Sequence, residues 1–310
     1  MSHGTRIGRI DMVATGACLG TLACWSLGPL FIKYLAGHTD SWTQNAVRYS
    51  VACLFLSPFL IHASAAGGLS SKVWRRAILP SFANIAMQSL WAAGFYYIGP
   101  AFMTLLSKTS VLWVTGFSLI VFREERPLIR SPRFWMGLLL SLTGMVGVIA
   151  FKDDFAATGT FTGVLIALAQ AFMWGVYTIS VRIAFQDVDP RVSFSVMSIY
   201  AAIGLSVAAF LFGDPSQVLA LDVRGWSAVV ISALTAIALG HTLYYTAIRR
   251  IGTMIPVLVI LSQPFVVFGL SNLLFHERLN GVQLIFGGLL LTGSGLSVWA
   301  QQHRRADVIE

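Results

Sequence analysis

The chain has 310 residues, 56% of them hydrophobic and only 11% charged, with a mean hydropathy of +0.75. A soluble domain carries roughly a quarter charged residues, so this composition cannot solvate a globular surface. The net charge of +8 would suit nucleic acid, but the basic residues track the connectors between apolar blocks, and no nucleic-acid partner is expected.

The apolar blocks each approach the roughly 20 residues that a helix needs to cross about 30 Å of hydrocarbon, whereas a β-barrel would show shorter alternating segments. The expected class is an all-α integral membrane protein of ten transmembrane helices, with the lipid bilayer as its surroundings. In chain order the spans are read at about 12–35, 42–63, 74–97, 100–122, 134–151, 160–183, 192–212, 225–247, 252–275 and 280–301. Gly67-Gly68 with Ser70-Ser71, Pro127 with Pro132, Asp189-Pro190 and Asp214-Pro215 punctuate them. Spans three and four are separated by little more than Gly99-Pro100, and eight and nine by Arg249-Arg250 and Gly252, which forces antiparallel neighbours.

Of the 21 Lys and Arg, 15 fall on segments that share one side when the N-terminus is inside: Arg6, Arg9, Lys72, Arg75, Arg76, Arg123, Arg126, Arg130, Arg133, Arg182, Arg191, Arg249, Arg250, Arg304 and Arg305. Lys33, Lys152, Arg224 and Arg278 lie on the other side, while Arg48 and Lys108 lie within spans. This bias predicts a multi-pass protein of the cell (inner) membrane with both termini cytoplasmic. Cleavage of the first span as a secretory signal is not expected, because the run is long and matches a later segment. Cys18, Cys24 and Cys53 have no metal-ligand spacing and read as packing residues; no metal or cofactor is expected.

The chain repeats internally. Trp25 to Lys33 in span one answers Trp174 to Arg182 in span six. Ile98-Gly99 and Phe122-Arg123-Glu124 bracket span four as Ile251-Gly252 and Phe275-His276-Glu277 bracket span nine, and Gly137 and Gly144 recur as Gly288 and Gly295. The halves are 1–153 (spans one to five) and 154–310 (spans six to ten). An odd number of spans per half inverts the second relative to the first, an arrangement that places a binding cavity at the repeat interface.

These marks resemble the drug/metabolite transporter superfamily, and specifically its EamA-type ten-helix members. Ala247, Gln263-Pro264 and Phe275-His276-Glu277-Arg278-Leu279 followed by Gly288 look like the family's helix-eight to helix-ten pattern. Arg48 resembles an arginine frequent near the start of the second helix, while Val111 stands where the family often has proline. The resemblance implies two inverted repeats around a central cavity. The aromatic faces look most like the aromatic amino acid exporter branch, which implies efflux.

Polar side chains in spans should face other helices or water. Asn84, Gln88 and Trp91 share one face of span three; the repeat sets His241 opposite Gln88 and Tyr244 opposite Trp91. Gln170, Trp174 and Tyr177 form a stripe in span six, answered by Thr21, Trp25 and Gly28 in span one; span four offers Thr104 and Lys108, and span nine Gln263. The expected substrate cavity is therefore lined by Trp25, Asn84, Gln88, Trp91, Thr104, Lys108, Gln170, Trp174, Tyr177, His241, Tyr244 and Gln263. Helix packing is the competing account for each aromatic, and snorkelling or a carbonyl bond the competing account for Lys108. Gly28-Pro29, Pro256 and Pro264 are candidate kinks for gating, although Pro58 and Pro80 warn that membrane prolines need not move.

All 13 Asp and Glu fall at span ends or in loops, which leaves His241 as the candidate for protonation and makes facilitated export or exchange as expected as proton coupling. No His-Glu-x-x-His, Gly-x-Ser-x-Gly or ATP-binding loop occurs, so no catalytic residue is assigned and the chain is not expected to be an enzyme. The expected function is a monomeric secondary carrier that exports aromatic or neutral amino acids or related small molecules by alternating access. A nucleotide-sugar or other metabolite carrier of the same fold is the alternative, and an intramembrane enzyme or non-transporting subunit is the alternative of another class.

Overall fold

A computed structural model describes residues 11–65, 68–152, 158–251 and 254–309, without the side chains of 124–125, 158, 190, 249, 254–255, 258 and 301–309. Arg6, Arg9, Gly67 and Gly252, and the side chains of Glu124, Arg249, Arg304 and Arg305, on which the topology and repeat readings partly lean, are outside the described residues. Within them the chain is helical throughout: α1 (Met12–Leu35), α2 (Ser41–Ala65), α3 (Ser71–Gly94), α4 (Pro100–Ser107), α5 (Ser110–Val121), α6 (Pro132–Ala150), α7 (Thr158–Ala184), α8 (Pro190–Phe212), α9 (Val223–Ser232), α10 (Gly240–Ile251), α11 (Met254–Leu261), α12 (Gln263–Phe275) and α13 (Gly281–Ile309). Short 3-10 segments occupy Arg123–Arg130 and Pro215–Ala220, and a π-helical segment, Ala233–Leu239, joins α9 to α10.

Local chemistry sets the helix starts. Pro100, Pro132 and Pro190 stand in first turns, where a missing N–H breaks no helical bond. Asp11, Asp189 and Asp222 cap α1, α8 and α9 by accepting from the backbone N–H of Ala14, Arg191 and Gly225. Eight stretches are long and apolar enough to cross a membrane: α1, α2, α4–α5, α6, α7, α8, α9–α10 and α13; Val259–Phe275 adds a shorter apolar helix. At 24 residues α3 also has the length, but it carries Lys72, Arg75, Arg76, Asn84 and Gln88 and is less apolar.

The sequence reads span four as continuous and expects a kink at Pro264 in span nine; both are interrupted at the same point of the repeat. Between α4 and α5 the N–H groups of Lys108 and Thr109 bond three residues back, to Leu105 and Leu106; between α11 and α12, Ser262 bonds Val259 and Phe265 bonds Ser262. Pro264 accounts for the second interruption by lacking an N–H. Val111 holds its place in the first, where the Ser107 and Thr109 hydroxyls bond Thr104 O and Leu106 O and compete with the helical ladder.

The extensive helix contacts cross between the halves. Span five packs on ten (α6 on α13), two on seven (α2 on α8) and four on nine (α4 on α12), each span meeting its own repeat equivalent. Three on six (α3 on α7) is answered by eight on one (α10 on α1). Such pairing is what a pseudo-twofold axis relating two inverted five-helix repeats generates.

The α6–α13 seam brings backbones together. A Cβ on Gly144 would strike Leu290 N, one on Gly137 would meet Gly293 O, and one on Gly293 would meet Ser141 N, while Ser141 Oγ lies 3.2 Å from Ser294 Oγ. Close approach over small residues is how helices associate without a hydrophobic drive. The recurring glycines are not equivalent in use, since Gly288 meets nothing within 4 Å and Gly293 makes the contact instead.

At one end of the bundle the connectors are bonded to one another. Asp40 accepts from Trp42 N, Thr43 N and Asp214 N, and Gln217 Oε1 accepts from Asp40 N. Burial raises the Asp40 pKa, but the hydrogen bonds from Thr43, Asp214 and Trp42 outweigh it and hold the carboxyl below the usual carboxylate value. Glu277 accepts from Ala101 N and Phe102 N at 2.8 and 3.0 Å, capping α4 from the other repeat. It reaches there because His276 takes a left-handed conformation, φ 54°. At the opposite end Arg76 pairs with Asp187, and Arg250 with Asp11, both at 2.8 Å.

Candidate functional site

The two helix interruptions face each other through side chains. Lys108 Nζ donates to Gln263 Oε1 at 2.8 Å, and Gln263 Nε2 donates to the Trp25 carbonyl at 2.6 Å. That carbonyl is available because residue 29 is proline: in a continuous helix the N–H of residue 29 would take it. A side chain on α12 thus completes the hydrogen bonding of α1. Residues Ala101 to Ser107 are all buried, whereas Lys108 keeps partial exposure. No Asp or Glu pairs with it among the described residues.

From Trp25 the site continues through rings. The indole lies edge-on to His241 at 5.1 Å and tilted to Tyr244 at 4.9 Å. His241 stacks on Phe194 at 4.1 Å with an interplanar angle of 11°, and Tyr245 lies 6.2 Å from the imidazole. His241 Nδ1 donates to Ile237 O at 2.8 Å, which leaves Nε2 free as the acceptor of the neutral ring. Tyr245 faces Tyr177, which packs edge-on to Trp174. The structure therefore joins Lys108, Gln263, Trp25, His241, Tyr244, Tyr177 and Trp174 into one connected group.

The remaining expected residues sit differently. Asn84 and Gln88 face the hydroxyl of Tyr49, and Asn84 is almost fully buried. Trp91 packs edge-on to Phe95, apart from the ring group. Gln170 is buried with an unpartnered Oε1. Thr104 is fully buried and donates its hydroxyl to Pro100 O of its own helix, which removes its donor from any ligand. A Cβ on Gly28 would lie 3.0 Å from that of Ala236 in the π-helical segment, so α1 packs closely there. Pro256 lies near the start of α11, and the carbonyl it would deprive of a partner, that of Gly252, is outside the described residues.

Four residues of this region had not been singled out. Tyr245 lies four residues after His241 and shares its face, a signal present in the sequence. Phe194 is apolar and gives none. Tyr49 and Asn45 belong to a buried polar face of α2 with Gln44 and Arg48, spaced by four residues. Arg48 Nε donates to Ser232 Oγ at 2.9 Å, where the π-helical segment begins, and Asn45 Nδ2 donates to Gln88 O at 2.7 Å. Single-turn π irregularities frequently accompany functional sites, and here Gly240 ends the segment under the Trp25 indole with no room for a Cβ. Trp25 Nε1, Gln44 Oε1, Asn45 Oδ1, Tyr49 OH, Asn84 Nδ2 and Gln170 Oε1 are buried without a partner in the described chain. Such atoms are costly unless water or a ligand satisfies them.

The model of the EamA-like transporter family matches this chain twice, over residues 13–150 and 161–299. The chain belongs to the EamA-like transporter family. Among known proteins, this EamA-like transporter is similar to an "Uncharacterized transporter in sor 3'region" of Acidianus ambivalens, 23% identical over 137 residues. That match covers 44% of this chain and 48% of the relative, so the chain spans about half the length of the curated relative it matches. A protein known from a crystal structure shares the fold with a TM-score of 0.64 at 18% identity, over 94% of this chain and 98% of that one. The EamA-like chain is thus a multi-pass membrane protein that carries the family's repeat twice.

Proposed function

We propose that this transporter is a monomeric secondary carrier that exports neutral or zwitterionic amino acids or related metabolites, preferably aromatic ones, by alternating access. We place it in the inner membrane with both termini cytoplasmic. The observation that carries the reading is the Lys108 ammonium, held by the neutral amide of Gln263 and lying on the same connected group as Trp25, His241 and Tyr244. An ammonium without a counter-carboxylate attracts one, and a cluster of rings suits an aromatic body. Arg48 is engaged with Ser232 on a different helix pair, so the group holds one cation, which favours a carboxylate over the several charges of a nucleotide sugar. All Asp and Glu lie at span ends or in loops, which favours facilitated export or exchange over proton coupling through a membrane carboxylate.

Fluxes of labelled phenylalanine, threonine and sugars in proteoliposomes test this. Phenylalanine flux above protein-free vesicles is expected, with Lys108→Ala reducing it on the order of tenfold more than the flux of phenylalaninamide. Absence of flux defeats the transport reading for these substrates; equal losses for acid and amide make the lysine a structural part.

A further inference from the structure

Three interrupted helices meet at one amide. Gln263 opens α12 after the span-nine interruption, accepts from Lys108 at the span-four interruption, and donates to the one α1 carbonyl that Pro29 deprives of its helical partner. Pro58 in α2 offers the contrast. The carbonyl it frees, Leu54 O, accepts from Ser57 Oγ of the same helix at 2.8 Å, so nothing outside α2 is needed. Pro29 has no such local remedy: its freed carbonyl is satisfied across the repeat interface, by a residue whose other end holds the lone ammonium of the site.

We propose that Lys108, Gln263 and Trp25 form a ligand-released latch, in which a substrate carboxylate takes over the Lys108 ammonium, frees the Gln263 amide, and loosens its hold on α1 at Pro29. The inference rests on the carrier reading for its ligand, a carboxylate, and adds the device that couples occupancy to motion. A carboxylate is a stronger acceptor for an ammonium than a neutral amide, so the exchange runs in the required direction. Once released, Gln263 loses the contact that fixed its rotamer, and the Trp25 carbonyl again lacks a fixed partner beside Gly28 and the π-helical segment. Gln263 is a positioning residue here; it acts through α1.

Cys24, buried and adjacent to Trp25, reports on the hold. In a Cys18→Ser, Cys53→Ser background, N-ethylmaleimide labelling of Cys24 is measured with and without L-phenylalanine, and with phenylalaninamide as the control. L-Phenylalanine is expected to speed labelling and the amide to leave it unchanged, with no response to either in Lys108→Met. Gln263→Leu is expected to speed labelling without ligand roughly threefold to tenfold, the factor one lost hydrogen bond sets. Pro29→Ala restores the N–H that takes Trp25 O, so in that background Gln263→Leu should change labelling less than about twofold; this double-mutant cycle separates a latch from a general loss of packing. Gln263→Glu serves if the leucine variant does not fold: its carboxylate keeps the Lys108 arm but cannot donate to Trp25 O, so labelling should already be fast without ligand and L-phenylalanine should not speed it further. Flux that persists while neither Gln263→Leu nor L-phenylalanine alters Cys24 labelling overturns the latch and spares the carrier. Equal effects of Gln263→Leu with and without Pro29 also overturn it. Labelling that responds as stated in protein without flux overturns the carrier reading alone.

Discussion

The α6–α13 seam and the crossing of α1, α4 and α12 are both contacts between repeats, yet they are built on opposite principles. At the seam Gly137, Gly144 and Gly293 let backbones approach with no room for a Cβ. At the crossing the helices are held by the ends of long side chains, Lys108 and Gln263, which have alternatives within reach. A two-state carrier needs both: a contact that survives the transition, and one whose bonds can be exchanged at little cost.

The comparison can be broken most severely at the seam. Gly144→Val drives a side chain into Leu290 N and should abolish a monodisperse fold by size-exclusion chromatography, whereas Gly288→Val, with nothing within 4 Å, should elute as wild type. Lys108→Met at the crossing should leave folding intact, with a melting temperature unchanged or raised because a half-buried charge without a carboxylate partner is removed, while carboxylate flux falls. Glu277→Ala, which uncaps α4, should cost about 1 kcal/mol in thermal unfolding. Asp40 makes a pH-dependent version of the same test. Its folded pKa lies below the unfolded value, so its contribution is present above about pH 4 and fades as the pH falls through the folded value. Asp40→Asn should therefore lower the melting temperature at neutral pH and narrow its gap to wild type on acidification. The smallest effect is expected at Pro58, where Pro58→Ala should shift flux less than twofold because Leu54 O is satisfied within its own helix.

Much of this was legible in the chain because hydropathy and the repeat marks are statements about length and order. Ile-Gly and Phe-x-Glu located the ends of spans four and nine, but the role of Glu277 as a cap on α4 depends on a distant chain segment arriving beside Gly99. The interruption at Lys108 left no trace in hydropathy, since serine and threonine hydroxyls, not proline, divert the ladder there. Gln263 and Lys108 could each be named as polar residues in spans. Their meeting at 2.8 Å could not be read, because spacing within a helix says nothing of register between helices.

Lys108 has no mate across the pseudo-twofold: counting from Ile98 and Ile251, the equivalent position is Leu261. For the zwitterionic substrate proposed above, this asymmetry would give one preferred way round, with its negative end toward span four in either packing. Under the alternating-access reading proposed above, the two half-cycles would face barriers of unequal height, with the direction of net flow left to the gradient and the speed of each stroke set by the protein.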